Sequence, residues 1–163
     1  MIKQAIARNY CLGCHGCCRF SERDSVWLPC LLNEETQELL KKNFPPSLIS
    51  QDKKIRSLPN PAQNNFICSF LQPKDNKCKI YAFRPFECQL YPFLINRKGD
   101  RVFLAADLRC PFVKENLESQ KFKAYIRYLT NFFNNPRKIK VLKNNPQIIQ
   151  IYENVLNLAE LNL

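Results

Sequence analysis

The chain of 163 residues is poor in the residues that most enzymes lean on, with one histidine, one tryptophan, one methionine and three glycines. Any histidine-based acid–base scheme must run through His15 alone. No P-loop, dinucleotide-binding glycine fingerprint, HExxH or Ser-His-Asp pattern is present, which leaves the catalytic residues unknown. No apolar run reaches the roughly 18 residues that a membrane-spanning helix needs. The first ten residues, with Lys3 and Arg8 around Gln-Ala-Ile-Ala, are too short and polar for a secretory signal, so a cytoplasmic location is expected.

What the chain does have is nine cysteines. An odd count in a reducing compartment argues for thiolates rather than disulfides, and thiolates in such numbers bind metal. Acidic residues are also scarce, 14 against 25 lysines and arginines, for a formal charge of +11. Eight thiolates on two dipositive centres would bring that to about +7, so part of the excess balances sulfur. The remaining charge is spread out. It admits nucleic acid as a partner without singling it out, and a solvated basic surface is the simpler reading.

The length suits one domain. Its expected parts are a cysteine-rich metal-binding core over 1–112 and a helical segment over 113–163 packed on it. In the core, Val26–Pro29 reads as a short strand. Asn33, with Glu34 and Glu35 after it, reads as the cap of a helix to about Asn43. Pro45-Pro46 opens a loop over 45–65. Phe66–Leu71 reads as a strand, Pro73–Lys77 as a turn and Cys78–Phe93 as short irregular pieces. Phe93–Ile95 and Val102–Ala105 form a β-hairpin around Arg97–Asp100. From Lys114 to about Asn134 the apolar residues recur at helical spacing. Asn135-Pro136 and Asn145-Pro146 look like two further helix starts, the last presenting Ile148, Ile151, Tyr152, Val155, Leu158 and Ala159 on one face. The fold class is therefore α+β: a small, metal-organised irregular core with a β-hairpin, followed by two or three C-terminal helices.

Cys11, Cys14 and Cys17 follow C-x2-C-x2-C spacing, and Cys18 follows directly. Two of the three glycines, Gly13 and Gly16, sit inside this run, where backbone must fold closely around a metal and often takes positive φ. Such spacing with a remote Cys-Pro, here Cys110-Pro111, is also how ferredoxin clusters are held. Neighbouring side chains such as Cys17 and Cys18 diverge, so they are expected to serve two centres or two irons of one cluster. Cys30, between Pro29 and Leu31, reads as a buried free thiol. His15 reads as a loop residue, with metal ligation as its other role.

Cys11-x2-Cys14-x2-Cys17-Cys18, followed by Cys78-Lys-Ile-Tyr81-Ala-Phe-Arg84-Pro85-Phe-Glu-Cys88 and Tyr91-Pro92, resembles the family defined by a C-x2-C-x2-C-C motif. The resemblance covers about residues 8–112, with Cys68 also fitting. It implies zinc or iron chelation, and some members carry the label iron–sulfur oxidoreductase. The flagellin lysine methylases are similar in cysteine pattern but larger.

The candidate metal ligands are thus Cys11, Cys14, Cys17, Cys18, Cys68, Cys78, Cys88 and Cys110, enough for two tetrads. Arg84 is a candidate donor to a thiolate, a cluster sulfide or an anionic substrate, with Tyr81 beside it; a salt bridge to Glu87 is the plainer role. Aromatic residues from Phe66 to Phe112 would shield the site or simply make a core. Metal identity stays open between an iron–sulfur cluster, [4Fe–4S] favoured by the spacing, and zinc. Three functions stay open with it: a redox or electron-transfer protein with an unidentified partner, a cluster-dependent modifying enzyme, and a zinc-stabilised interaction module.

Overall fold

The computed structural model describes residues 2–7, 10, 11, 14 and 16–163. The chain divides into two compact units, Ile6–Gln89 and Met1–Ala5 with Leu90–Leu163. Helices and small, mostly antiparallel sheets mix throughout, an α+β architecture. No helix is long and apolar enough to cross a membrane among the described residues.

In the Ile6–Gln89 unit, β1 (Arg19–Phe20), β2 (Ser57–Asn60) and β3 (Asn65–Cys68) form a sheet of order β1-β3-β2. The loop expected over 45–65 therefore contains a strand. Pro59 obscures it in the sequence, yet β2 is an edge strand, where proline costs no ladder hydrogen bond. The strand expected over Phe66–Leu71 breaks into β3 and β4 (Leu71–Gln72), which pairs with β5 (Lys77–Cys78). Val26–Pro29 forms turns rather than a strand, and only Cys30 makes an isolated bridge, to Lys54.

Helix α1 spans Asn33–Lys41, with Leu32 rather than Asn33 at the cap position. Leucine has no oxygen to offer, so Glu35 reaches back instead and accepts the Leu32 N–H at 2.9 Å. Asn43 leaves the helix with φ 60°. Asn64, Asn76 and Asn154 also take positive φ, as does Lys53. A chain this short of glycine thus places asparagine at left-handed positions, where its side chain is best tolerated after glycine. The core beneath these elements packs Phe20, Leu31, Leu39, Ile55, Ile67, Phe70 and Ile80 against Cys68. The region expected to be irregular holds a short helix, α2 (Phe86–Leu90).

In the other unit, β6 (Phe93–Lys98) and β7 (Arg101–Asp107) make the expected hairpin, turning at Gly99 with φ 61°. The helix expected from Lys114 to Asn134 is two helices, α3 (Pro111–Asn116) and α4 (Gln120–Phe133). They part because Ser119 caps α4, its hydroxyl accepting the Phe122 N–H at 3.2 Å. Helix α5 (Pro136–Lys143) starts as expected, with Asn135 accepting the Arg137 N–H at 3.0 Å. Phe93 stacks on Phe122 with centroids 5.4 Å apart, and Phe112 packs near the same ring.

The expected last helix does not form. After a single 3₁₀ turn at Pro146–Ile148 come β8 (Ile149–Gln150) and β9 (Val155–Glu160), which complete a sheet of order β8-β6-β7-β9. Helical spacing of the apolar residues misleads here because tertiary pairing overrides local pattern. Ile151, on the supposed buried face, is 69% exposed. Buried Asn96 fixes the outcome: its Nδ2 donates to Asn157 Oδ1 at 2.9 Å, while its Oδ1 accepts the Tyr152 N–H at 2.9 Å. Asn96→Leu should leave that amide unpaired and cost about 2 kcal/mol in urea unfolding. Amide exchange over 152–157 should quicken with it. An unchanged stability would show that Asn96 does not hold the strand.

Candidate metal centre

None of the nine cysteines forms a disulfide. Seven of the eight predicted ligands lie in the Ile6–Gln89 unit, whereas Cys110 lies in the other, buried at the N-cap of α3. Cys11, Cys14 and Cys17 are exposed, Cys18, Cys78 and Cys88 half-buried, and Cys30 and Cys68 buried. His15 and Gly13 lie outside the described residues. Gly16 does not take positive φ, contrary to the conformational argument for it. A Cβ there would meet Cys14 Sγ at 3.6 Å, an ordinary contact.

The sheet register gathers the sulfurs. Arg19 opposes Ile67 in the antiparallel β1–β3 pair, so the preceding Cys18 and the following Cys68 run side by side. The turn after Cys68 leads through β4 to β5, which ends on Cys78 opposite Leu71. Lys79 N–H donates to Phe70 C=O at 2.8 Å and closes that loop. Backbone N–H groups of Phe70 and Leu71 point at the sulfur of Cys68, and that of Ile80 at Cys78. Amides two and three residues beyond a cysteine, turned back on its sulfur, stabilise a thiolate.

Cys17 is the hub of this arrangement. Its sulfur shares a hydrogen bond with Cys18 that, more than burial, holds its thiol well above the usual range. The charge of Cys17 in turn acts on Cys11, Cys68, Cys78 and Cys88. In each of these four, burial is the largest cause of the raised thiol pKa. Cys68 is pushed up to about 11. Arg84 opposes the trend at Cys11, Cys17 and Cys78, so its guanidinium faces the sulfurs. It lies over the Tyr81 ring at 4.6 Å, and the two side chains proposed for cofactor contact thus touch.

The sulfurs of Cys17 and Cys18 are 3.9 Å apart. The expectation that adjacent side chains diverge is therefore corrected. Two thiolates on one tetrahedral ion with bonds of about 2.3 Å stand about 3.8 Å apart, so this pair can share an ion. Among the described residues no three His, Cys, Asp or Glu side chains stand at a spacing that would enclose one. The donor chemistry still fits a thiophilic metal: several sulfurs in one neighbourhood, amides aimed at two of them and an arginine facing three.

Two carboxylates that sequence reasoning gave other roles hold the frame. Glu35 also accepts the Phe86 N–H at 2.6 Å, tying α1 to the start of α2. Glu87, given above as a salt-bridge partner for Arg84, accepts the Cys30 N–H at 2.6 Å. Burial pushes the Glu87 carboxyl up to about 8, against the pull of the Cys30 amide and Lys54. Cys30 is fully buried, as expected of a structural thiol, and burial with the Glu87 charge pushes its pKa up. The only available signal for Glu35 was its position three residues beyond the cap. Glu35→Ala strands two amides and should cost about 2–3 kcal/mol in denaturant unfolding, while Glu35→Gln keeps one acceptor and should cost about half. Equal stability of both variants and the parent would remove Glu35 from the frame.

No solved structure matches this chain. A family model described as "putative zinc- or iron-chelating domain", named CxxCxxCC, matches residues 10–124. That span takes in all eight predicted ligands, Tyr81 and Arg84. The chain belongs to the CxxCxxCC family of metal-chelating proteins.

Proposed function

We propose that the cysteines gathered around Cys17 hold an iron–sulfur cluster and that the protein works in electron transfer. The observation that carries this reading is the number of sulfurs in one neighbourhood. Cys17 senses Cys18 and is sensed by Cys11, Cys68, Cys78 and Cys88. One zinc ion and one [4Fe–4S] cluster each take four cysteines, but a cluster spreads them over several irons. That suits sulfurs that share a neighbourhood without enclosing a single ion among the described residues. Cys11, Cys17, Cys18, Cys68, Cys78 and Cys88 are the candidates to hold it. When bound, such a cluster supplies a one-electron couple. Arg84 offsets the thiolate charge, and Phe70 and Phe83, packed with Cys68 and Cys78, keep water from the buried side.

The 3.9 Å separation of Cys17 and Cys18 favours a second reading, a zinc-stabilised interaction module. Anaerobic purification followed by iron, sulfide and zinc analysis separates the two. A brown protein with iron and acid-labile sulfide is expected. Cys17→Ser and Cys88→Ser should lose metal, and Cys30→Ser should keep it. A colourless protein carrying zinc and no iron would sink the cluster.

Metal uptake must also release protons. Thiols raised above their ordinary range are protonated at neutral pH, so each thiolate formed on binding frees one proton. Affinity should therefore rise with pH and fall towards acid. Calorimetric titration of metal-free protein with Zn²⁺ in buffers of different ionisation enthalpy should give about four protons per ion. Near-zero release would mean that the thiols are already ionised.

A further inference from the structure

We propose that one face of α4 and α5 in the Leu90–Leu163 unit binds single-stranded nucleic acid. Between Ser119 and Tyr152 there are seven lysines and arginines and no aspartate or glutamate. Lys121, Tyr125, Tyr128 and Phe132 recur along α4 at i, i+4, i+7 and i+11, and so share a face. Their rings form a ladder: Tyr125 and Tyr128 have centroids 5.5 Å apart, Tyr128 and Phe132 6.2 Å. At the α5 end the ladder opens into a cleft of about 520 Å³ lined by Tyr128, Asn131, Phe132, Asn135, Arg137 and Lys138. Lys138 Nζ lies 4.8 Å from the Phe132 centroid. At the other end, the backbone of exposed Lys3 donates to Tyr128 Oη at 3.1 Å and accepts from Tyr125 Oη, setting a further cation beside the rings.

Among the described residues, Lys123 is the one basic side chain of this segment in an ion pair, with Glu118. Lys121, Arg137 and Lys138, beside the rings and the cleft, carry no ion pair among the described residues. Rings flanked by cations are what a strand with stacking bases and regularly spaced phosphates requires. An acidic protein surface would be met by the cations alone. From residue 121 to 132 the helix rises about 16 Å, so the face is longer than one nucleotide and suits a strand.

The test is fluorescence anisotropy of a labelled 15-nucleotide mixed-sequence DNA strand with the full-length, metal-loaded protein. Binding should weaken steeply with salt. Arg137→Gln with Lys138→Gln should weaken it about tenfold or more and reduce the log–log salt slope by about 1.4, for two lost phosphate contacts. The single Lys138→Gln variant should lose part of this, and circular dichroism checks that each variant is folded. Arg97→Gln with Lys98→Gln, at the exposed hairpin tip, should leave binding unchanged. An abasic strand of the same length should bind about fivefold or more weakly, because it cannot stack. No binding, an equal loss in the hairpin variant, or equal affinity for the abasic strand would each overturn the proposal. Tighter binding of polyglutamate than of the strand would overturn it too and reassign the face to an acidic protein.

Discussion

The structure of the Ile6–Gln89 unit turns on a conflict between sulfurs. Thiols crowded into one partly dry neighbourhood resist ionising, because burial and each neighbour's charge both favour the protonated form. Metal binding requires the opposite, since the thiolate is the ligand. The surrounding frame supplies what eases that change. Amides turn towards Cys68 and Cys78, and Arg84 turns towards Cys11, Cys17 and Cys78. None of these alone outweighs burial, which leaves the raised pKa values in place. The remaining free energy must come from the metal.

That dependence explains why so much of the unit's hydrogen bonding is spent on backbone near cysteines. The Arg84–Cys88 stretch has too few residues to support itself: α2 is a five-residue helix, far below the length at which helices hold alone. It is held from outside by Glu35 at the Phe86 amide and by Glu87 at Cys30, and from within by Gln89, whose Nε2 donates to Arg84 C=O at 2.8 Å. Carboxyls suit this task because their oxygens accept an amide N–H whether ionised or, as burial makes Glu87 at neutral pH, largely protonated. Their burial has a cost, visible in the raised pKa of both Glu35 and Glu87. The unit accepts that cost in exchange for a fixed position of Cys88.

The cysteine motif and the β6–β7 hairpin were legible because each rests on local rules: fixed spacing in the first, a turn between β-forming residues in the second. The capped starts of α1 and α5 were nearly so, though the α1 cap fell one residue early because Leu32 gives no side-chain signal. What escaped was non-local. Strand β2 carries a proline that only its edge position tolerates, and β9 carries a helical pattern that Asn96 and β7 override. The two carboxylate braces were invisible for the same reason, since Glu35 and Phe86 are 51 residues apart in sequence. Within the candidate site, the cysteine spacing was readable while the closeness of Cys17 to the later cysteines was not. Spacing shows which sulfurs sit near one another in the chain, and only the β1–β3 register shows that Cys18 comes beside Cys68.

The same limit applies to charge. A net +11 can be balanced by thiolates only where thiolates are, and seven of the eight predicted ligands lie in the Ile6–Gln89 unit. The acid-free stretch from Ser119 to Tyr152 belongs to the other unit, where Cys110 is the only cysteine. Its seven cations therefore have at most one sulfur counter-charge in their own unit, that of Cys110. Like charges on adjacent helices destabilise the fold they sit on. Such a segment persists at neutral pH because α4 buries Phe122, Leu129 and Phe133 on an adjoining face, which anchors the helix while its exposed side carries charge. The basic excess of the chain is thus two separate features, one that tempers the thiolates and one that faces outward.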